Sequence, residues 1–255
     1  FSRLCSAAFC SPITGVARLK AALDADGWPV ALEVRTAMQQ DGFGADASFD
    51  VTSRYFVPNY RFSNHTTNFH VPVGTRRGVG QAAHEFYRES FIDELARAAG
   101  KDPYLYRREL IARTDLKFKD DMLKALDMAA EMSGWGSPLP AGTARAIALE
   151  ERGVETGGSA TISAMVHTIS VSREGRVKLE RVDVAHESGF GLVNPLSVKK
   201  RSRGRSRCST TTRCTRRATS RTARSSRTTS ISSRCLESTR IRPSWPTIAT
   251  RSPAS

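Results

Sequence analysis

Between residues 11 and 207 this 255-residue chain has no cysteine. Its five thiols, Cys5, Cys10, Cys208, Cys214 and Cys235, lie near the two ends, and their spacings fit no CxxC pair and no zinc pattern. That excludes a disulfide framework and a cysteine-ligated metal. No apolar run reaches the length of a membrane helix, and the first residues show no cleavable signal pattern. Histidine-based metal motifs also fail. His84-Glu85 opens an H-E-x-x-H string, but Arg88 stands where the second His is needed, and His186-Glu187 fails in the same way at Phe190. His65 and His70 have no helical register and no third ligand, so they read as surface histidines. Asn64-His65-Thr66 is a glycosylation triplet without a secretory context.

Lysine is missing from the last 55 positions, and acidic residues almost so. Residues 201–255 hold 14 Arg, no Lys and one acid, Glu237, and so carry +13 of the chain's +14. Residues 1–200 are close to neutral, the balance of an ordinary globular domain. Arg, Ser and Thr fill 38 of the 55 tail positions, too little apolar surface to offset the entropy of ordering, so the tail is expected to be disordered. Two readings fit it. One is a basic arm that binds nucleic-acid phosphates, which makes the whole chain a nucleic-acid-binding protein. The other is translation out of frame. The switch at Lys200–Arg201 is abrupt, Lys disappears although the body has eight, and Arg-Ser-Arg-Gly is what a Gln-Val-Glu-Gly coding stretch gives one nucleotide late.

The body is patterned. Residues 16–37 predict a β-hairpin: Leu19, Ala21 and Leu23 alternate with polar or small residues, Asp24-Ala25-Asp26-Gly27 supplies the turn, and Val30, Leu32 and Val34 alternate on the return. Residues 38–54 read as a loop and Tyr55–Arg61 as a short extended segment broken by Pro58. A helix is expected over about 81–99, with Ala82, Phe86, Ile92, Leu95, Ala96 and Ala99 as its apolar face and Gly100 ending it. Asp102-Pro103 opens a second helix to about Arg113, and a third, with Met122, Leu126, Ala129 and Ala130 inward, spans about 119–133. Strands follow at 143–150 and in a hairpin over 159–186 that turns at Arg173-Glu174-Gly175-Arg176. The class is α+β, with β-hairpins flanking a three-helix segment.

One string carries chemistry by its spacing. Gly74-Thr75-Arg76-Arg77-Gly78-Val79-Gly80-Gln81 runs straight into the first helix. Glycines let a backbone approach a ligand closely, helix N-terminal amides suit anionic oxygens, and an Arg there can pair with the same oxygens. A plain Gly-rich turn has the same spacing. The string is neither a dinucleotide fingerprint nor a P-loop.

Three blocks, in this order, resemble the large, molybdopterin-binding subunit of the xanthine dehydrogenase/aldehyde oxidase family. The first is Tyr55-Phe56-Val57-Pro58-Asn59-Tyr60-Arg61. The second is Arg76-Arg77-Gly78-Val79-Gly80-Gln81 with Glu85-Phe86, then Glu89 through Ala96, Gly100-Lys101-Asp102-Pro103 and Arg107. The third is Gly175-Arg176-Val177 through Val182-Asp183-Val184-Ala185 to Asn194-Pro195 and Val198. The wording is most similar to the branch of the isoquinoline 1-oxidoreductase beta-subunits, and the resemblance covers about residues 12–200. It implies a molybdenum hydroxylase that moves a water-derived oxygen onto an electron-poor carbon of an aldehyde or N-heterocycle. The molybdenum–molybdopterin cofactor supplies the redox chemistry, and electrons leave through a separate iron–sulfur small subunit. It also implies a soluble enzyme of a bacterial-type cytoplasm or periplasm, with no specific nucleic-acid partner. On this resemblance Arg77, Gly78, Val79 and Gly80 match the loop beside the cofactor. Val79 replaces the aromatic of xanthine dehydrogenases, which argues against a purine substrate.

The departures from the family are as informative. Its Gly-Gly-x-Phe-Gly segment is missing, as is the Gly-x-Gly-Glu segment that carries the catalytic general base. Where the family continues Gln-Val/Ile-Glu-Gly after Val198, this chain has Arg-Ser-Arg-Gly. The expectation is therefore an interior fragment of a larger subunit: a partial cofactor-binding domain at 12–200 and an out-of-frame tail at 201–255, inactive alone.

Overall fold

The computed structural model describes residues 15–39, 54–67, 81–152 and 161–187. Two compact units divide the chain, Phe1–Leu123 and Lys124–Ser255. The first eleven residues and the tail from Arg201 lie outside the described residues, and so do the expected boundary at 200 and the expected disorder beyond it.

In the first unit, strands β1 (Gly15–Leu23) and β2 (Pro29–Gln39) form the expected antiparallel hairpin, with Leu19 opposite Val34 and Ala21 opposite Leu32. The Asp24 carboxylate folds its turn: Oδ1 accepts from the Asp26 amide at 3.0 Å and the Trp28 amide at 2.7 Å. Gly27 takes φ 80°, as the tight return requires. Leu32 and Val34 are buried among Leu19, Ala21, Tyr60, Phe62 and Phe91, whereas Val30 is exposed at the start of the return strand.

The segment after Pro58 is longer and more regular than its polar sequence suggests. Strand β3 (Asn59–Thr67) pairs parallel to β2 at the sheet edge, with Ala31 opposite Asn59 and Ala37 opposite His65. Alternation places Tyr60, Phe62 and Asn64 on the better-covered face, where Thr36 Oγ1 donates to Asn64 Oδ1 at 2.8 Å. Pro58 precedes the strand, where its missing N–H costs no ladder bond.

Helices α1 (Gln81–Ala98) and α2 (Pro103–Ala112) pack on each other, and α1 also meets β1. The α1 end is a Schellman closure: Lys101 N–H reaches Ala96 O at 2.8 Å, Gly100 N–H reaches Arg97 O at 3.1 Å, and Gly100 has φ 65°. Asp102 then caps α2, its Oδ1 accepting from the Tyr104 amide at 2.9 Å and the Leu105 amide at 3.0 Å, an arrangement worth about 1 kcal/mol. Trp28 at the hairpin turn stacks on Tyr106 with ring centroids 5.1 Å apart, and Lys101 and Arg113 lie over its ring at 4.1 and 4.2 Å. The Tyr106 hydroxyl donates to Gly27 O at 3.0 Å.

Helix α3 (Lys119–Ser133) buries Met122, Leu126, Ala129 and Ala130, as its period predicts, and the division between the units falls inside it. The second unit holds an antiparallel sheet of β4 (Thr143–Arg152), β5 (Thr161–Val171) and β6 (Val177–Glu187), with β5 central. The β5–β6 turn closes as expected: Ser172 N–H reaches Arg176 O at 2.9 Å and Gly175 has φ 76°. One face buries Ile147, Leu149, Ala164, Val166 and Ala185. Among the described residues the architecture is mixed helix and strand, three helices with two small sheets.

One expectation for α1 is corrected. Phe86, placed on its apolar face, is 44% exposed, while Ile92, Leu95 and Ala96 are buried as expected. The first half of the helix instead buries His84, Arg88 and Glu89. Hydrophobic periodicity cannot register a buried face whose charges neutralise one another.

Candidate functional site

The sequence singled out Arg77, Gly78, Val79 and Gly80. These four, together with His70 and Gly74, lie outside the described residues, which resume at Gln81, the first residue of α1. What is described is the foundation that holds α1.

That foundation is a buried ionic cluster. Glu85, Glu89 and Asp93 follow one another at intervals of four along α1 and so share a stripe. Arg54 comes from the segment before β3, Arg107 from α2 and Arg88 from α1 itself, three cations for three carboxylates. Arg54 is 0% exposed and forks onto Glu85, Nη1 to Oε2 at 3.1 Å and Nη2 to Oε1 at 2.8 Å. Arg88 Nη2 also donates to Glu85 Oε1. Arg107, also 0% exposed, donates through Nε to Glu89 Oε2 at 3.1 Å and through Nη1 to Asp93 Oδ1 at 2.6 Å. Its Nη2 reaches the Glu89 carbonyl at 2.9 Å, and Nη1 touches Pro103 O at 3.2 Å. The Tyr55 hydroxyl donates to both Glu89 oxygens at 3.0 and 3.2 Å.

The protonation states follow from this packing. Burial, then the Glu89 charge, raises Tyr55 well above the usual phenol range, so it remains a donor. Burial opposes ionisation of Glu85, but Arg54 and Arg88 outweigh it and hold the carboxyl below its ordinary value. Burial opposes the charge on Arg107 too, and Glu89, Tyr55 and Asp93 reverse that effect. His84, in the first turns of α1, is lowered by burial and then by Arg88, so its ring is neutral at pH 7. It sits between Phe62 and Tyr87, at centroid distances of 6.2 and 6.5 Å.

These groups are built to fix α1 rather than to react. The cavity beside them, lined by Leu19, Leu32, Tyr55, Arg88, Phe91 and Ile92 among others, has a volume of about 10 Å³, the size of one water-sized sphere. No substrate fits there. Elsewhere, His65 stands exposed on the edge strand β3. His186 accepts from or donates to Ser163, Nδ1 to Oγ at 2.8 Å across β5 and β6, and Ser163 is buried. Among the described residues no three His, Cys, Asp or Glu side chains come together to hold a metal, and no helix is long and apolar enough to cross a membrane.

Sequence reasoning missed the cluster as a site, although five of its members stand in the blocks that carry the family resemblance. The usable signal was the acidic stripe at 85, 89 and 93. Like charges at this spacing repel, and the two cations of α1, Arg88 and Arg97, cannot neutralise three carboxylates. Partners from other segments were therefore required.

No family model matches the chain. It is similar to a nicotinate dehydrogenase subunit of Pseudomonas putida, 29% identical over 209 residues, which is 71% of this chain and 17% of that protein. The chain thus spans about a sixth of that relative's length. Among solved structures, the aldehyde oxidoreductase of Desulfovibrio gigas aligns with a TM-score of 0.42 at 20% identity, over 65% of this chain and 20% of that one. Quinoline 2-oxidoreductase of Pseudomonas putida 86 aligns with a TM-score of 0.41 at 18% identity, over 71% of this chain and 27% of that one.

Proposed function

We propose that residues 12–200 are part of the cofactor-binding large subunit of a molybdenum hydroxylase, acting on an electron-poor carbon of an N-heterocycle. The observation that carries this reading is the similarity to a nicotinate dehydrogenase subunit over 71% of the chain, in a sequence whose motif blocks resemble the same enzyme class. The described geometry is consistent with it. Tyr55 of the first block and Glu85, Glu89, Asp93 and Arg107 of the second meet in one buried cluster, so residues recognised by their order along the chain are also joined in space. Within the class, the wording of the blocks points to the branch of the isoquinoline 1-oxidoreductase beta-subunits.

The cavity beside the cluster, about 10 Å³, is too small for a pterin-sized group. The residues assigned to the cofactor are Arg77, Gly78, Val79 and Gly80, immediately ahead of α1. Their amides and the Arg77 guanidinium suit anionic oxygens, and the buried cluster fixes the helix to which they lead. When bound, the molybdenum–molybdopterin cofactor supplies the redox chemistry, with a separate iron–sulfur protein as electron acceptor.

Two experiments test this reading. Translation of the neighbouring frame after codon 200 should yield Gln-Val-Glu-Gly and, later, a Gly-x-Gly-Glu segment with the general base that this chain lacks. Its absence would remove the out-of-frame reading of the tail and, with it, the link to the family's continuation. In the large subunit rebuilt on that frame, Arg77→Ala should weaken cofactor retention or transition-state binding by about 1.5–3 kcal/mol. Unchanged molybdenum content together with unchanged turnover would refute the site.

A further inference from the structure

Asp183 is a fully buried carboxylate of the second unit. It sits in β6 opposite Val166, on the buried face that Ile147 and Leu149 share, and is 0% exposed. Only one of its oxygens is used. Oδ1 accepts a fork from Arg181, Nε at 2.9 Å and Nη2 at 2.7 Å, while Oδ2 is buried with no hydrogen-bond partner. Such a half-satisfied carboxylate is costly to keep ionised.

The same Arg181 has a second task. Its Nη2 donates to Met132 O at 2.5 Å, in the last turn of α3. There the helix closes in a Schellman motif: Trp135 N–H reaches Ala130 O at 2.9 Å, Gly134 N–H reaches Glu131 O at 3.0 Å, and Gly134 has φ 64°. Arg145 of β4 reaches the same corner, Nη1 to Gly134 O at 2.6 Å and to Ser137 Oγ at 2.9 Å. Two cations thus cap the negative end of α3. Arg145 is held by three contacts with the corner itself, the third to Ser137 O at 3.5 Å. Arg181 is 47% exposed and is steered onto the helix end by Asp183.

We propose that Asp183 is a proton-operated latch on the end of α3: ionised, it aims Arg181 at Met132 O and closes the corner, and protonated, it lets Arg181 swing into solvent. The charged groups that act on Asp183 are Arg181 from its own strand and Arg145 from β4. On the same face β5 contributes the uncharged Val166 and Thr168, and α3 contributes the Met132 carbonyl that Arg181 reaches. Burial raises the Asp183 carboxyl above its ordinary value of 3.8, and the attraction of Arg181 only partly offsets this. The native unit therefore holds the proton more tightly than the unfolded chain. This carboxyl contributes its full stability only below pH 3.8, and the contribution is lost as pH rises through its native midpoint. The corner and the unit respond in opposite directions: ionisation tightens the one while it taxes the other.

The full chain carries its own control, because the Lys101 amide makes the equivalent Schellman bond to Ala96 O at the end of α1 without an Arg–Asp latch. The test combines the Asp183 ¹³Cγ titration with native-state exchange of the Trp135 and Lys101 amides, corrected for intrinsic rates. As pH falls from about 7 to about 4, Trp135 protection should drop about five- to tenfold relative to Lys101. The drop should follow the Asp183 midpoint, which should lie above 3.8. Asp183→Asn, which cannot ionise, should show the low protection at every pH and a higher denaturation midpoint at neutral pH. The proposal is overturned if the two amides track each other through the wild-type titration, or if Asp183 titrates at or below its ordinary value. The wild-type measurement decides the matter even if the variant does not fold.

Discussion

Replacing Arg107 with methionine is expected to lower the stability of the first unit by about 3–5 kcal/mol, because it strands buried carboxylates that have lost their counter-charge. Arg107 makes two of the cluster's charge-assisted bonds, to Glu89 and Asp93, and two more to backbone carbonyls of α1 and α2. Methionine fills similar volume but removes the nearest cation from Glu89, the other cations standing farther off, Arg54 Nη1 at 3.8 Å and Arg88 Nε at 3.9 Å. Arg107→Lys should recover less than half of the loss, since one ammonium cannot span the positions that the guanidinium fork reaches. Urea unfolding followed by circular dichroism at 222 nm measures both variants. A loss below about 1 kcal/mol for the methionine variant would place Arg107 in the class of surface ion pairs and contradict its burial. The same cluster explains why charges are kept in a core where apolar residues would pack at less cost. A bidentate fork and a tyrosine that spans both oxygens of one carboxylate admit one rotation of α1, whereas apolar contacts admit several.

Gly27→Ala is expected to cost about 2–5 kcal/mol, the sum of a left-handed backbone for a residue with a Cβ and a forced contact in a packed interface. Gly27 has φ 80°, and an added Cβ would stand 2.6 Å from Ala99 Cβ and 3.2 Å from Ala99 Cα. Neither atom can yield, because one is backbone and the other is bonded directly to it. The hairpin turn would have to lift from the end of α1, and it would take the Tyr106–Gly27 bond and the Trp28–Tyr106 stack with it. Gly100→Ala separates the two contributions. Gly100 has φ 65° in the same unit, but an added Cβ there meets nothing within 4 Å, so only the backbone cost of about 1–2 kcal/mol applies. Equal losses in the two variants, read from chemical denaturation, would show that the contact with Ala99 is not tight.

The sequence by itself determined the local structure. Both hairpins, the Asp24 and Gly175 turns, the Asp102-Pro103 helix start and the Gly100 helix end are each decided within about five residues, by side chains that bond their own backbone or by glycines that accept positive φ. The blocks that resemble a known family were legible for a similar reason, since they are contiguous strings. Tertiary structure decided what depends on distant partners. Arg54 finds Glu85 across 31 positions and Tyr55 finds Glu89 across 34. Charge and polarity normally mark a surface, so nothing local marks Arg88, Glu89 and Arg107 as buried. The polar segment Ser63–Thr67 became a strand because β2 offered it a parallel edge, and Phe86 turned outward because the ionic stripe took the inner face of its helix. Local bonds are encoded where they form, whereas a buried charge is tolerable only once its partner arrives from elsewhere in the chain.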